Sequence, residues 1–136
     1  KYEIENLKKK GLVFINFRPN ILKFLEKTSI LCLPSYREGF SKTLSEAVAC
    51  GIPIVTTNVS GCKELVFGGK TGLLCKPRDY VSLKYQLEKL IKDSNLRNYF
   101  SKNGPELAKK KLDVKIIVQE NINLYLKLLK NTKNDK

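Results

Sequence analysis

A chain of 136 residues is the size of one domain and long enough to bury a core. Lys and Arg outnumber Asp and Glu by 26 to 13, which raises nucleic acid, anionic membrane and phosphorylated substrates as partners; the basic residues are scattered over Lys8–Lys10, Lys109–Lys111 and the tail Lys127–Lys136 with no aromatic-interleaved stripe, which argues against nucleic acid. Four cysteines without a Cys-x-x-Cys pair, and no histidine, leave no zinc site.

In chain order, the pattern predicts a helix over Ile4–Lys10, a strand at Val13–Phe17, a helix over Ile21–Thr28, strands at Ile30–Leu33 and Ile54–Thr57 flanking a helix at Lys42–Cys50, and a helical turn at Lys63–Phe67. Helices over Tyr80–Asp93, Leu96–Lys110 and Val114–Leu129 make the chain wholly helical after about Asp79. Strands alternating with helices imply an α/β fold with a parallel sheet, flanking helices and a helical C-terminal end. No repeat, low-complexity stretch or interdomain linker is visible, so residues 1–136 read as a single domain. Cys32 in an apolar run and Cys50 at a helix end read as buried free thiols of a reducing cytosol.

The chemistry concentrates between Tyr36 and Gly51. Pro34 closes the second strand, and ligands of open α/β sheets gather beyond the carboxyl ends of strands. Glu38 and Glu46 stand on either side of a helix start; Gly39 permits a tight turn, and the free N–H groups of the first helical turn suit a diphosphate. The two carboxylates can accept hydroxyls, which outlines a nucleotide-sugar site. Competing structural readings make Glu46 a surface charge paired with Lys42 one turn earlier and Glu38 a partner of the helix dipole. Gly69-Lys70-Thr71 imitates a phosphate-binding loop, but Glu64 stands where that loop requires glycine, and a strand-like segment follows it.

Leu33-Pro34-Ser35-Tyr36-Arg37-Glu38-Gly39-Phe40, Glu46-Ala47, Ala49 to Thr57, Gly61, Glu64 and Thr71-Gly72-Leu73-Leu74 fall in an order that resembles retaining glycosyltransferases of the family 4 type, the glycosyl transferases group 1. The similarity runs from about Gly11 to about Leu129. It implies a Rossmann-like parallel sheet with flanking helices, the later part of the donor-binding C-terminal domain of a two-domain, GT-B-type enzyme, hence an incomplete, partial nucleotide-sugar-binding domain. The acceptor half, and an arginine and lysine that the family directs to the diphosphate, are expected outside these residues, as is the native start, so the lack of a visible signal peptide says nothing of targeting.

By the same resemblance, Glu46 accepts hydrogen bonds from the donor ribose hydroxyls, and Glu38 faces the donor hexose near the reacting carbon, where its charge stabilises developing positive charge. Gly39, Phe40, Ser41, Lys42 and Thr43 present backbone N–H groups to sugar and diphosphate, with Leu44 completing the donor-binding stretch. Arg18, in the turn after the first strand, falls in the possible nucleobase neighbourhood. No metal or other cofactor is expected, since the family lacks a metal-binding Asp-x-Asp, as does this chain. The implied reaction moves a hexose from a nucleoside diphosphate sugar to a glycan or lipid-linked acceptor in polysaccharide, lipopolysaccharide or capsule assembly. The setting would be the cytoplasm, with peripheral contact to the anionic inner face of the cytoplasmic membrane. The family's final helix crosses back to the other domain, which would leave Ile116, Ile117, Ile122, Leu124 and Leu128 partly uncovered. A sugar phosphorylase or epimerase of the same fold, and a binding module for nucleotide or anionic polymer, are the alternatives.

Overall fold

The computed structural model describes residues 2–134, with side chains for residues 4–129. Three parallel strands, β1 (Leu31–Leu33), β2 (Ile54–Thr57) and β3 (Gly72–Cys75), form one sheet in the order β1-β2-β3. Leu31 pairs with Ile54 and Ile54 with Gly72, so the register runs straight across. β2 is central and buried along its whole length, as expected of a short β-branched run covered on both faces.

The helices sort onto the two faces. α3 (Lys42–Ala49) turns Leu44, Ala47 and Val48 onto Ile54 and Leu65, while α4 (Tyr80–Lys92) and the first part of α5 (Ser94–Lys111) close the opposite face around Val55, Leu90 and Phe100, and α5 further on adds Ala108 to the α3 side. Asp79 caps α4 by accepting from Ser82 N at 2.8 Å, and Asp93 caps α5 by accepting from Leu96 N at 2.8 Å. α5 lies so close to α3 that a Cβ on Gly104 would come within 2.5 Å of the Val48 carbonyl oxygen, and Pro105 follows inside the helix.

The parallel sheet, flanking helices and helical C-terminal end match the expected fold class. Several elements differ from expectation. Val13–Phe17 is not a strand: among the described residues no strand lies beside it, and an extended segment without a partner gains no ladder bonds. Its side chains stand open, with Val13 81% and Phe17 91% exposed. The helix expected at 21–28 contracts to α2 (Leu22–Leu25), after which the N–H groups of Lys27 and Thr28 tighten to carbonyls three residues back. Lys63–Val66 is a 3₁₀ turn, stopped by Phe67 in the left-handed conformation.

Cys62 and Cys75 are buried, but Cys32 and Cys50 are exposed, because β1 is an edge strand and Cys50 caps the open end of α3. α1 (Tyr2–Lys9) precedes the open segment. α6 (Val114–Asn134) is the long terminal helix, and every side chain described on it is exposed, including the expected apolar stripe. Among the described residues no helix is long and apolar enough to cross a membrane.

Candidate functional site

The chain leaves β1 at its carboxyl end, runs through 34–41 and enters α3. Tertiary contacts with β2 and the segment after it decide the path of this loop. Thr56 Oγ1 donates to Leu33 O at 2.8 Å, and Thr57 Oγ1 donates to Ser35 O. Both hydroxyls belong to the buried strand β2, so two inward-facing polar groups hold the exit of its neighbour.

Gly61 then closes over the loop. Its φ is +81°, and a Cβ there would lie 2.4 Å from Glu38 O and 2.6 Å from Gly39 O, so only glycine permits this approach. Gly61 N donates to Glu64 Oε2 at 2.9 Å, and Gly61 O accepts from Ser41 N at 3.1 Å. Gly39 bears no such constraint: its φ is not positive, and an added Cβ would meet nothing within 4 Å. The glycine that shapes the turn is therefore Gly61, twenty-odd residues beyond the one that the local sequence suggests.

Ser41 is buried and caps α3, its Oγ accepting from Leu44 N at 3.3 Å. Of the amides expected to face a donor, that of Ser41 is thus already engaged, while the amide of Leu44, the last of the donor-binding stretch, is taken up by the cap and its side chain lies in the core. The N–H groups of Gly39, Phe40, Lys42 and Thr43 make no hydrogen bond among the described residues. They form a short run of open donors where the helix dipole is positive.

Glu38 is partly buried, and its Oε1 accepts from Ser35 Oγ at 3.0 Å. That bond within the loop fixes the carboxylate ahead of the helix, and Ser41, rather than Glu38, supplies the cap. Glu46 is the fifth residue of α3, just over one turn in. Its Oε1 lies 3.7 Å from Lys42 Nζ, the pairing that the structural reading anticipated. With Lys42 88% exposed against 33% for Glu46, the contact is loose and leaves the carboxylate open to another partner. A hollow of about 430 Å³ adjoins it, walled by Lys42, Ser45, Ala49, Pro105 and Ala108.

Arg18 stands on the exposed 11–20 segment, with no hydrogen bond or ion pair to this loop among the described residues. Lys109–Lys111 form the last turn of α5 and Lys127 is on α6, while the side chains of Lys130, Lys133 and Lys136 lie outside the described residues. Among the described residues no three Cys, Asp or Glu side chains converge as a metal would need. Ser35, Thr57, Gly61 and Glu64 hold the loop without having been assigned roles from sequence. The Ser35-x-x-Glu38 spacing was a readable local signal, whereas the Thr57 and Gly61 contacts join segments distant in the chain.

A sequence model of the family described as glycosyl transferases group 1 matches residues 1–107. The capsular polysaccharide biosynthesis glycosyltransferase CapM of Staphylococcus aureus is 30% identical, covering 96% of this chain and 37% of that protein. The N,N'-diacetylbacillosaminyl-diphospho-undecaprenol alpha-1,3-N-acetylgalactosaminyltransferase of Campylobacter jejuni is 33% identical, covering 94% and 34%. Among solved structures, HepE of Anabaena in complex with UDP-glucose superimposes with a TM-score of 0.77 at 25% identity, over 93% of this chain and 36% of that one. The chain spans about a third of the length of these curated relatives.

Proposed function

The chain belongs to the glycosyl transferases group 1 family, and from that premise we propose that it supplies most of the donor site of a retaining hexosyltransferase of the GT-B type. The enzyme would move a hexose from a nucleoside diphosphate sugar to a glycan or lipid-linked acceptor, working with an acceptor half outside these residues. The observation that carries the reading is the run of open amides at Gly39, Phe40, Lys42 and Thr43, bracketed by Glu38 and Glu46 at the carboxyl end of the sheet. UDP-glucose in a structural neighbour supports a nucleoside diphosphate sugar, and a relative named for an undecaprenol-linked diphosphosugar supports a lipid-linked acceptor.

Each group has a distinct task under this reading. The open amides and the positive end of the α3 dipole take charge from the departing diphosphate. Glu46 accepts the two neighbouring ribose hydroxyls, an arrangement that suits a carboxylate, whose two oxygens can each accept. Glu38, oriented by Ser35, faces the sugar carbon and stabilises the positive charge that builds as the glycosidic bond breaks. Ribose contacts act alike in ground and transition states, whereas charge stabilisation acts in the transition state.

The kinetic constants of the full-length enzyme separate the two roles. Glu46→Ala raises the donor KM with kcat little changed, and Glu38→Ala lowers kcat with donor KM little changed. Each loses about 1.5–3 kcal/mol, the contribution of a charged hydrogen bond. Equal and minor losses from both substitutions would return the carboxylates to the surface role that the Lys42 contact represents. The anomeric configuration of the product, read by NMR, tests retention, and an inverted product ends that part of the reading.

A further inference from the structure

A second hollow, of about 340 Å³, opens at the same carboxyl end of the sheet, on the α4 side. Its walls are Tyr36 from the Glu38 loop, Lys76 and Arg78 from the turn between β3 and α4, and Tyr80 at the start of α4, and buried Thr57 and Cys75 form its floor. None of the groups assigned above to the donor lines it.

Arg78 occupies the left-handed region at φ +58°, where a turn would take glycine or asparagine without strain. This backbone carries the guanidinium to 5.6 Å from the centroid of the Tyr36 ring. An exposed cation–π contact of this kind is worth about as much as the strain costs, so the contact alone gives little reason to keep an arginine here. Tyr36 is 71% and Tyr80 80% exposed, which leaves two aromatic faces uncovered at the rim. The one acidic group of the lining, Asp79, caps α4 and also faces Cys75, so two cations, Lys76 and Arg78, stand against one carboxylate and leave the rim net positive. Burial foremost, against the lowering effect of a backbone hydrogen bond, pushes the Cys75 thiol up and keeps the floor neutral.

We propose that this hollow is a subsite for a phosphate-bearing sugar unit of the acceptor, its pyranose laid against an exposed tyrosine and its phosphate held by Arg78 and Lys76. The inference rests on Glu38 lying at the donor sugar, since Tyr36 precedes Glu38 by two residues on one loop. A tyrosine ring covers the apolar C–H face of a pyranose and leaves its hydroxyls hydrated. The planar guanidinium matches two phosphate oxygens at once, and the lysine adds a point charge beside it. Neither half of the ligand alone uses both features.

The test is calorimetric titration of the full-length protein, first saturated with a nucleoside diphosphate, using α-D-glucose 1-phosphate, free glucose and inorganic phosphate. Glucose 1-phosphate is expected to bind at least about tenfold more tightly than either fragment. Arg78→Gly, which fits the left-handed backbone, is expected to weaken it by about tenfold, or about 1.4 kcal/mol, with nucleoside diphosphate affinity unchanged within about twofold; exposed Tyr36→Ala moves it the same way. Absence of glucose 1-phosphate binding, equal binding by wild type and both variants, or displacement of the probe by nucleoside diphosphate overturns the subsite. Failure of every nucleoside diphosphate to bind strikes the donor reading instead. In that case the sugar phosphate titration, run without nucleotide on wild type and Arg78→Gly, still decides the hollow.

Discussion

The loop at 34–41 and the helix α6 both meet solvent, one with Tyr36 and Phe40 and the other with apolar side chains from Val114 to Leu129. They differ in what stands behind them. The loop's backbone is held by Thr57, Gly61 and Ser41, all buried, whereas the described part of α6 shows no buried residue at all. Exposed side chains on a fixed backbone suit recognition, because little order remains to be gained on binding. A helix with an uncovered apolar face has its packing still to make.

The comparison breaks most readily at Gly61. In Gly61→Ala a left-handed φ and a contact of 2.4 Å with Glu38 O act together, and urea denaturation is expected to show a loss of about 3 kcal/mol. Gly39→Ala, in open space on the same loop, is expected to change stability by less than about 0.5 kcal/mol. If the two substitutions cost the same, the loop is not held from behind by Gly61.

Thr57→Val sharpens the same point. It keeps the buried shape of β2 but leaves the Ser35 carbonyl without its donor, at a cost of about 1–2 kcal/mol by equilibrium unfolding. In the full-length enzyme kcat is expected to fall as well, since Ser35 orients Glu38. A stability loss without any kinetic effect would separate the anchor from the carboxylate.

For α6 the expectation reverses. Leu124→Glu in this chain, on a face that packs against nothing buried, is expected to shift the unfolding free energy by less than about 0.5 kcal/mol. A larger loss would mean that α6 is held as firmly as the loop. The smallest effect concerns the basic groups at this end. Lys109–Lys111 and Lys127 each contribute about 1 kcal/mol beside an anionic bilayer, so the full-length enzyme is expected to sediment with anionic but not neutral vesicles at low salt and to be released as salt rises. Sedimentation indifferent to lipid charge leaves these lysines as a solvated surface.

Legibility in the sequence followed the same division. α4 and α5 were readable from helix-compatible runs over Tyr80–Asp93 and Leu96–Lys110, although Asp93, read as the end of the first, is the cap from which α5 starts at Ser94; β2 was readable because a β-branched run has few other uses in a domain of this kind. Glu38 and Glu46 were singled out through their neighbours in the chain. Val13–Phe17 carries an equally strong local pattern but no ladder, because pairing belongs to the partner strand and not to the segment itself. The hold of Gly61 on the Glu38 peptide was hidden for a related reason: a close approach between distant segments leaves no spacing to count. The left-handed Arg78 was likewise silent, since arginine carries no signal for that backbone.

The order of the sheet has a consequence for how the chain reaches this state. Because β1, β2 and β3 stand side by side in the order in which they are synthesised, each new strand finds its partner in the one just made, across a connection of 20 residues (34–53) and then one of 14 (58–71). Closing such loops is a modest entropic step, and no strand must wait for a distant segment before it can pair. A growing chain can therefore add the sheet one strand at a time as it emerges. Thr57 and Gly61, which pin the Glu38 loop, both precede β3 in the chain.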